Sequence, residues 1–491
     1  MSDDDLFIIL KKVNGETKGH AVRHGKVDKD LIASIFSESD EQYSETEDSP
    51  KEKYDDSAKN DARSPFPESF QDVERSFSQA MLMYRRSVVE TIKFAPFFAS
   101  LILRHSAELI ATSRGVKRED LSMEEIHVYS LPSHAFGKLK RHGDRAEALV
   151  AGVQHLPKIS TIGIISSYDA ILSDLLRVIF KKKPEIIFTS DREVKFSELL
   201  ELENLEAVRD SIIRNEIESV IRNSHHEQFS WMEKKFGMKL REGLDVWPDF
   251  IELCERRNLL THTGGVISEQ YLRNCEHHGR KSKHQVGDKL EVDVDYLTSA
   301  IDIVSEVGYK LIHTMWRKFS PDERENADSV LNATGMDLIA AREYNLAEEL
   351  LRFGAGQRQH SSDLIKRMMI VNLANAAKLG GNKDRCDKAL SSHDWSATSY
   401  QFQVCVAAVR NDFQEVKRLL KLGGSVIEIT PSDFRDWPVF RDARNDAEIQ
   451  TVFEEVFGES IRRDRDKVSL SETLPDDDEE DDKHEDDILI H

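Results

Sequence analysis

The sequence predicts an all-α protein: a helical bundle, then a C-terminal α-helical solenoid-like domain, with a disordered acidic linker and a disordered acidic tail. Three observations predict this. Apolar residues recur at spacings of three and four over most of the chain. Charged residues make up 32% of it while Gly and Pro are modest, which suits helices better than a sandwich or barrel. Two segments are acidic and nearly free of apolar residues, so they cannot bury enough surface to offset their ordering entropy.

The elements follow in order. Residues 1–36 mix apolar and charged positions and predict a short strand and a helix. Residues 37–67 are the linker. Residues 68–150 form a helical N-terminal region in which Phe70, Val73, Phe77, Ala80, Met81 and Tyr84 mark one helical face. Pro96 is expected to kink or separate helices there. Residues 151–320 form the bundle. Pro157 is read as opening its helices, one over about 162–180 that stops at Lys181-Lys182-Lys183-Pro184, and another over about 204–223. A helix beginning near Pro248 and a last one over about 294–316 complete it.

Residues 321–460 change pattern. "YNLAEELLRFG" at Tyr344, "GNKDRCDKAL" at Gly381 and "NDFQEVKRLLKLG" at Asn411 each start with a polar turn and continue as an amphipathic helix, 30 to 37 residues apart. That spacing predicts a degenerate solenoid of tetratricopeptide or ankyrin type, offering a surface for a protein partner. Trp395 and Trp437 read as packing anchors. Residues 461–491 are the tail.

The 491 residues are enough for more than one core. The net charge is -22, but Ser37–Arg63 carries ten acids against four bases, and Asp476–Asp487 ten acids against Lys483. Those two segments hold about -15 of the total, so the folded part is only mildly acidic, and nucleic-acid affinity has to be sought in local basic runs. Cys254, Cys275, Cys386 and Cys405 lie far apart with no CxxC, which argues against a disulfide framework and for a reducing cytoplasm. The acidic start predicts no signal peptide. The longest apolar run, Phe94–Leu103, is half of what a bilayer span needs, so no membrane partner is expected. No GxxxxGK[ST] or GxGxxG element points to nucleotide chemistry.

The candidate site lies in "CERRNLLTHTGG", Cys254–Gly265. Trp247, Phe250, Ile251 and Cys254 form an apolar stripe, and helical spacing continues it through Asn258 to His262. Arg257 sits one step to the side. Gly264-Gly265 supplies a left-handed cap, and His262 falls in the last turn, where the helix dipole favours its charged form. Polar groups on an inner face need partners. They either hydrogen-bond within one subunit or face a groove or a second subunit.

The stretch "RNLLTHTGGVISEQYL", Arg257–Leu272, resembles the signature of HEPN ribonucleases: Arg, a polar residue, a short interval, then His. The resemblance covers residues 157–319, about a third of the chain. It implies a HEPN-type helical bundle, a homodimer that brings two motifs into one cleft, and metal-independent RNA cleavage. Under it His262 is the acid/base, Arg257 the phosphate clamp and Asn258 a supporting residue; no cofactor or metal is required. The chemistry suits these side chains. RNA carries its own nucleophile in the 2′-hydroxyl, an imidazole exchanges protons near neutrality, and a guanidinium holds phosphate. Arg280, Lys281 and Lys283 in "HHGRKSKH", and Lys181, Lys182 and Lys183, are basic runs expected to contact RNA backbone.

Cys275, His277, His278 and His284 match no standard zinc spacing. Two rivals remain open: a non-catalytic RNA-binding or scaffold protein of the same fold, and the substrate half of a nucleotidyltransferase pair. The latter usually has Tyr two residues after the His, where this chain has Gly264.

Overall fold

The computed structural model describes residues 6–13, 16–23, 66–119, 122, 126–131, 133–187 and 204–461. It is predominantly helical and comprises two compact units, Met1–Val330 and Leu331–His491. The expected linker (but for its last two residues), all but the first residue of the tail, and the helix expected before residue 36 lie outside the described residues.

In the first unit β1 (Leu6–Val13) and β2 (Glu16–Arg23) pair as an antiparallel hairpin. Helix α1 (Phe70–Leu82) starts at a capping box, in which the Ser69 hydroxyl accepts from the Asp72 amide while the Asp72 carboxylate accepts from the Ser69 amide. Phe70, Val73, Phe77 and Met81 are buried on the expected face. The chain stays helical through a π segment (Met83–Val89) into α2 (Glu90–Arg114), with Pro96 inside. Pro96 therefore does not separate helices. It removes one backbone donor, and the break in regular α geometry falls at the π segment instead, where an extra residue is taken up in the turn.

Strands β3 (Val116–Lys117) and β4 (Ile126–Leu131) complete a four-stranded antiparallel sheet in the order β2-β1-β4-β3, with Leu6 opposite both Arg23 and Leu131. The sheet is a small addition to a predominantly helical chain, which fits the all-α expectation; a strand was expected only before residue 36. Its strands are short and more than a hundred residues apart in part, so no local pattern announces the pairing.

Helix α3 (Ser133–Lys182) is 50 residues long and packs against α2. Pro157 is inside it rather than at its start, and its carbonyl accepts from the Thr161 hydroxyl at 2.8 Å. The helix ends where the Lys-Lys-Lys-Pro run predicts, with Pro184 opening a 3₁₀ turn. Then follow α4 (Leu205–Ile221, capped by the Asn204 side chain), α5 (His225–Phe236), α6 (Trp247–His262), α7 (Glu269–His277) and α8 (Val294–Phe319). Helix α8 is the spine of the unit, with Trp316, Met315 and Ile301 buried. Gly308 is required there because a Cβ would enter the ring of Phe77.

A further helix, α9 (Arg324–Ala340), crosses the boundary between units. The second unit continues with α10 (Tyr344–Ala355), α11 (Asp363–Leu379), α12 (Lys383–Ser391), α13 (Tyr400–Val409) and α14 (Phe413–Leu420). Three tight turns carry a left-handed residue just before a polar one that leads into the next helix: Arg342 (φ 65°), Gly381 (φ 81°) and Asn411 (φ 56°). They fall at the three repeat-like segments. Short helices α15 (Gly424–Ile427) and α16 (Pro431–Asp436) precede α17 (Ala447–Phe457). Trp395 is buried and donates to the Leu390 carbonyl at 2.7 Å, while Trp437 packs half-buried on the same core.

Candidate functional site: the end of helix α6

Helix α6 carries Arg257, Asn258 and His262. Its C-terminal end is pinned. The amides of Thr263 and Gly265 both donate to the Leu259 carbonyl, and Gly264 and Gly265 have φ of 67° and 95°. A Cβ at Gly265 would lie 2.9 Å from the Leu290 carbonyl oxygen. The expected glycine cap is therefore present, and Gly265 is also needed for close approach. The following residues run beside 287–290: Ile267 donates to the Asp288 carbonyl at 2.8 Å, and Leu290 to the Gly265 carbonyl at 2.9 Å. Leu259, Ile267, Tyr271, Cys275 and Leu290 close a small core beneath this corner.

A buried carboxylate fixes the helix from inside. Glu252 accepts from the Tyr271 hydroxyl at 2.6 Å, the Tyr296 hydroxyl at 3.0 Å and Arg256 Nε at 2.8 Å. The Arg256 guanidinium stacks over the Tyr296 ring and donates to the Glu291 carbonyl. Burial, reinforced by the Glu252 charge, pushes both tyrosine hydroxyls well above their ordinary range, so they remain donors. Residues from α6, α7 and α8 thus converge on one carboxylate.

Arg257 is half-buried and donates through Nη2 to Asp169 Oδ2 at 3.1 Å; the other Asp169 oxygen lies 3.0 Å from His225 Nε2. Asp169 comes from the middle of α3, and His225 opens α5 against the ring of Phe250. Arg257 Nε is buried without a hydrogen-bond partner. The neighbouring Glu255 carboxyl is raised by burial, against the pull of its Asn274 hydrogen bond and the charges of His225 and Arg257. Neither Asp169 nor His225 was a sequence candidate.

The inner stripe takes a different path from the one expected. Asn258 is half-buried and His262 is exposed; Leu253, Leu259 and Leu260 carry the buried face instead. The reason is energetic. Leucines adjacent on the helix bury more apolar surface with no polar group to satisfy, so the helix turns them inward and leaves the imidazole in water. Five residues also turn an α-helix through about 500°, so Arg257 and His262 leave α6 roughly 140° apart. Arg257 reaches α3 while His262 stays in solvent.

Arg280 and the Lys181–Lys183 run lie apart from this corner. Arg280 forms an ion pair with Asp249, at the opposite end of α6 and eight residues, or about 12 Å of helix rise, before Arg257. Lys281 and Lys283 are exposed in the following loop. Lys181 and Lys183 are exposed where α3 ends, and Lys182 is engaged by Ser320 and Glu323. Lys181 is twelve residues, about 18 Å of rise, beyond Asp169.

His226, His277 and His278 cluster near the start of α6, with ring centroids of His226 and His278 4.4 Å apart, and Arg241 Nη1 lies 3.1 Å from His226 Nδ1. Among the described residues no group of three His, Cys, Asp or Glu side chains is placed to hold a metal ion; Cys275 is turned into the core. Burial, then the neighbouring His226 and His277, push His278 down to about 4. Burial pushes His313, which stacks on Trp316, down to about 3.

These depressed values give a stability prediction. Below the ordinary 6.5 the unfolded chain binds protons that the folded chain refuses. The stabilisation is therefore complete above about pH 6.5 and is lost as the pH falls toward 4, by on the order of 1 kcal/mol per pH unit for a fully buried group. The melting temperature should drop between pH 7 and 4.5, and His313→Phe should flatten that drop. An unchanged slope in His313→Phe would show that this imidazole does not refuse its proton.

No family model, no curated protein and no solved structure matches this chain.

Proposed function

We propose that the chain is a metal-independent endoribonuclease of HEPN type, with the bundle as its catalytic part and the second unit as a helical solenoid that docks a regulating or target protein. The observation that supports this best is the Arg257–Asn258–x3–His262 spacing on the pinned end of α6, with the imidazole exposed to solvent and the guanidinium held by Asp169. His262 takes the proton of the 2′-hydroxyl as its oxygen attacks phosphorus; the bond to the 5′-oxygen breaks, and that oxygen takes a proton from a second, protonated imidazole. Arg257 gives one N–H to Asp169 and keeps others for a phosphate oxygen. Because Arg257 and His262 diverge within one chain, the second imidazole is assigned to His262 of another copy, in a homodimer. Lys281, Lys283, Lys181 and Lys183 would hold more distant RNA backbone. A groove of about 500 Å³ beside Lys417, Arg418, Lys421 and Glu448 is a place for the protein partner. We further propose a cytoplasmic toxin or antiviral effector as its role.

The Arg257–Asp169 ion pair favours a second reading, an RNA-binding or scaffold protein in which Arg257 only ties α6 to α3. A cleavage assay separates the two. The purified chain should cut RNA in excess EDTA, and a substrate with 2′-deoxy sugar at the cut site should bind but resist cutting. RNA that is bound and left intact would establish the scaffold reading.

A further inference from the structure

The start of α5, the loop carrying Arg241 and the end of α7 meet in a corner whose basic groups the α6 site does not use. His226 comes from α5, His277 and His278 from the end of α7. Their ring centroids are 4.4 Å (His226 to His278), 4.9 Å (His277 to His278) and 6.3 Å (His226 to His277) apart. His226 and His278 are half-buried and His277 is exposed. A guanidinium has no acceptor, so the 3.1 Å contact from Arg241 Nη1 makes His226 Nδ1 the acceptor and leaves Nε2 carrying the proton. The rings of His277 and His278 have no hydrogen-bond or ion-pair partner among the described residues. The carboxylates nearby are committed. Glu233 accepts from the Arg241 side chain and from the amides of Leu240 and Arg241. Glu227 closes the capping box with Ser224, and Asp249 pairs with Arg280. Lys281 and Lys283 follow, exposed. Donors and positive charge thus exceed acceptors here, in a chain of net charge -22.

We infer that this corner binds a phosphate group, carried by an RNA backbone or free in solution, with His226 Nε2–H and the His278 ring as donors and the following lysines adding charge. Cations repeated along the loop suit an anion whose charge is itself repeated along a chain. A metal ion is the poorer occupant, because the Arg241 charge lies against His226. The groups that face the imidazoles are Glu227 and Glu233 on α5, Arg241 on the loop, and Trp247 with the Asp249–Arg280 pair at the start of α6. His226 stays neutral in this arrangement, since a second ring proton would point at the guanidinium. His278 is the ring that gains a proton with the anion. Burial, then His226, His277 and Arg241, hold it at about 4 in the free chain, and a bound oxyanion reverses that balance. Affinity therefore rises as the pH falls. The corner is at the opposite end of α6 from His262, and the inference does not depend on cleavage there.

Binding of a labelled single-stranded 2′-O-methyl oligonucleotide, which has no free 2′-hydroxyl and stays uncut, tests it on the full chain at fixed ionic strength. Wild-type affinity should rise about tenfold between about pH 7.5 and 5.5, the result of taking up one proton over half that range. His278→Gln should cut the rise to about twofold. His226→Ala should weaken binding several-fold at both pH values, and His226→Gln, which keeps an N–H, should restore it. In the wild type the His278 ring titration, followed by NMR, should move up by about one unit or more when the oligonucleotide is added. The same movement with sulfate, and none with the oligonucleotide, would assign the corner to free phosphate. A titration moved by neither, or a pH dependence of binding unchanged in His278→Gln, would overturn the inference. His262→Ala should leave the shift intact, so failure of the ribonuclease reading would not carry this one with it.

Discussion

RNA cleavage by the His262→Ala chain is expected to fall by about 10²–10⁴-fold, the range that a positioned proton-transfer group contributes. Its melting temperature should stay within a degree or two of wild type, because the imidazole is exposed and makes no part of the core. The pairing of those two results is informative. A structural histidine would lower both together. Arg257→Ala should separate from it: cleavage falls, and stability falls as well, because Asp169 is left half-buried beside His225 without its cation. Activity assays and thermal melts on the same preparations check both variants. Cleavage unchanged in His262→Ala would remove this residue from the mechanism.

The second large effect is on folding. Glu252→Ala should cost about 3–5 kcal/mol, the usual result of removing one partner from a buried ion pair. Here the loss strands Arg256 and two tyrosine hydroxyls at once. For a unit of this size that lowers the melting temperature on the order of 10 °C. Glu252→Gln should recover part of it, since an amide oxygen still accepts one of the hydroxyl hydrogen bonds. A melting temperature within two degrees of wild type in Glu252→Ala would show that the network contributes little to holding α6.

Much of the helical layout was legible in the sequence because its signals are local. The Asn204 cap, the end of α3 at Lys182, the Gly264-Gly265 corner and the start of α8 at Val294 all follow from neighbouring residues. Pro157 misled, as did the alternative that Pro96 separates helices, because the penalty for proline is local too, while long packed helices absorb it through tertiary contacts. The site was legible only in part. Arg257, Asn258 and His262 share one helix, so their spacing is written along the chain. Their supports are not: Asp169 is 88 residues from Arg257, and Tyr296 is 44 from Glu252. One signal for Glu252 was available, a carboxylate flanked by Ile251 and Leu253 in an otherwise apolar stretch. The burial of His262 was misjudged because periodicity alone does not decide which of two adjacent stripes turns inward, and the leucines outcompete an imidazole for that place.

Mass spectrometry of the RNA product ends tests the central claim most directly. If His262 assists attack by the neighbouring 2′-hydroxyl, the products carry a 2′,3′-cyclic phosphate and a 5′-hydroxyl, and they form equally in excess EDTA. Products with 5′-phosphate ends, formed only when magnesium is restored, would mean that a metal-activated water attacks phosphorus and that the assignment of His262 is wrong.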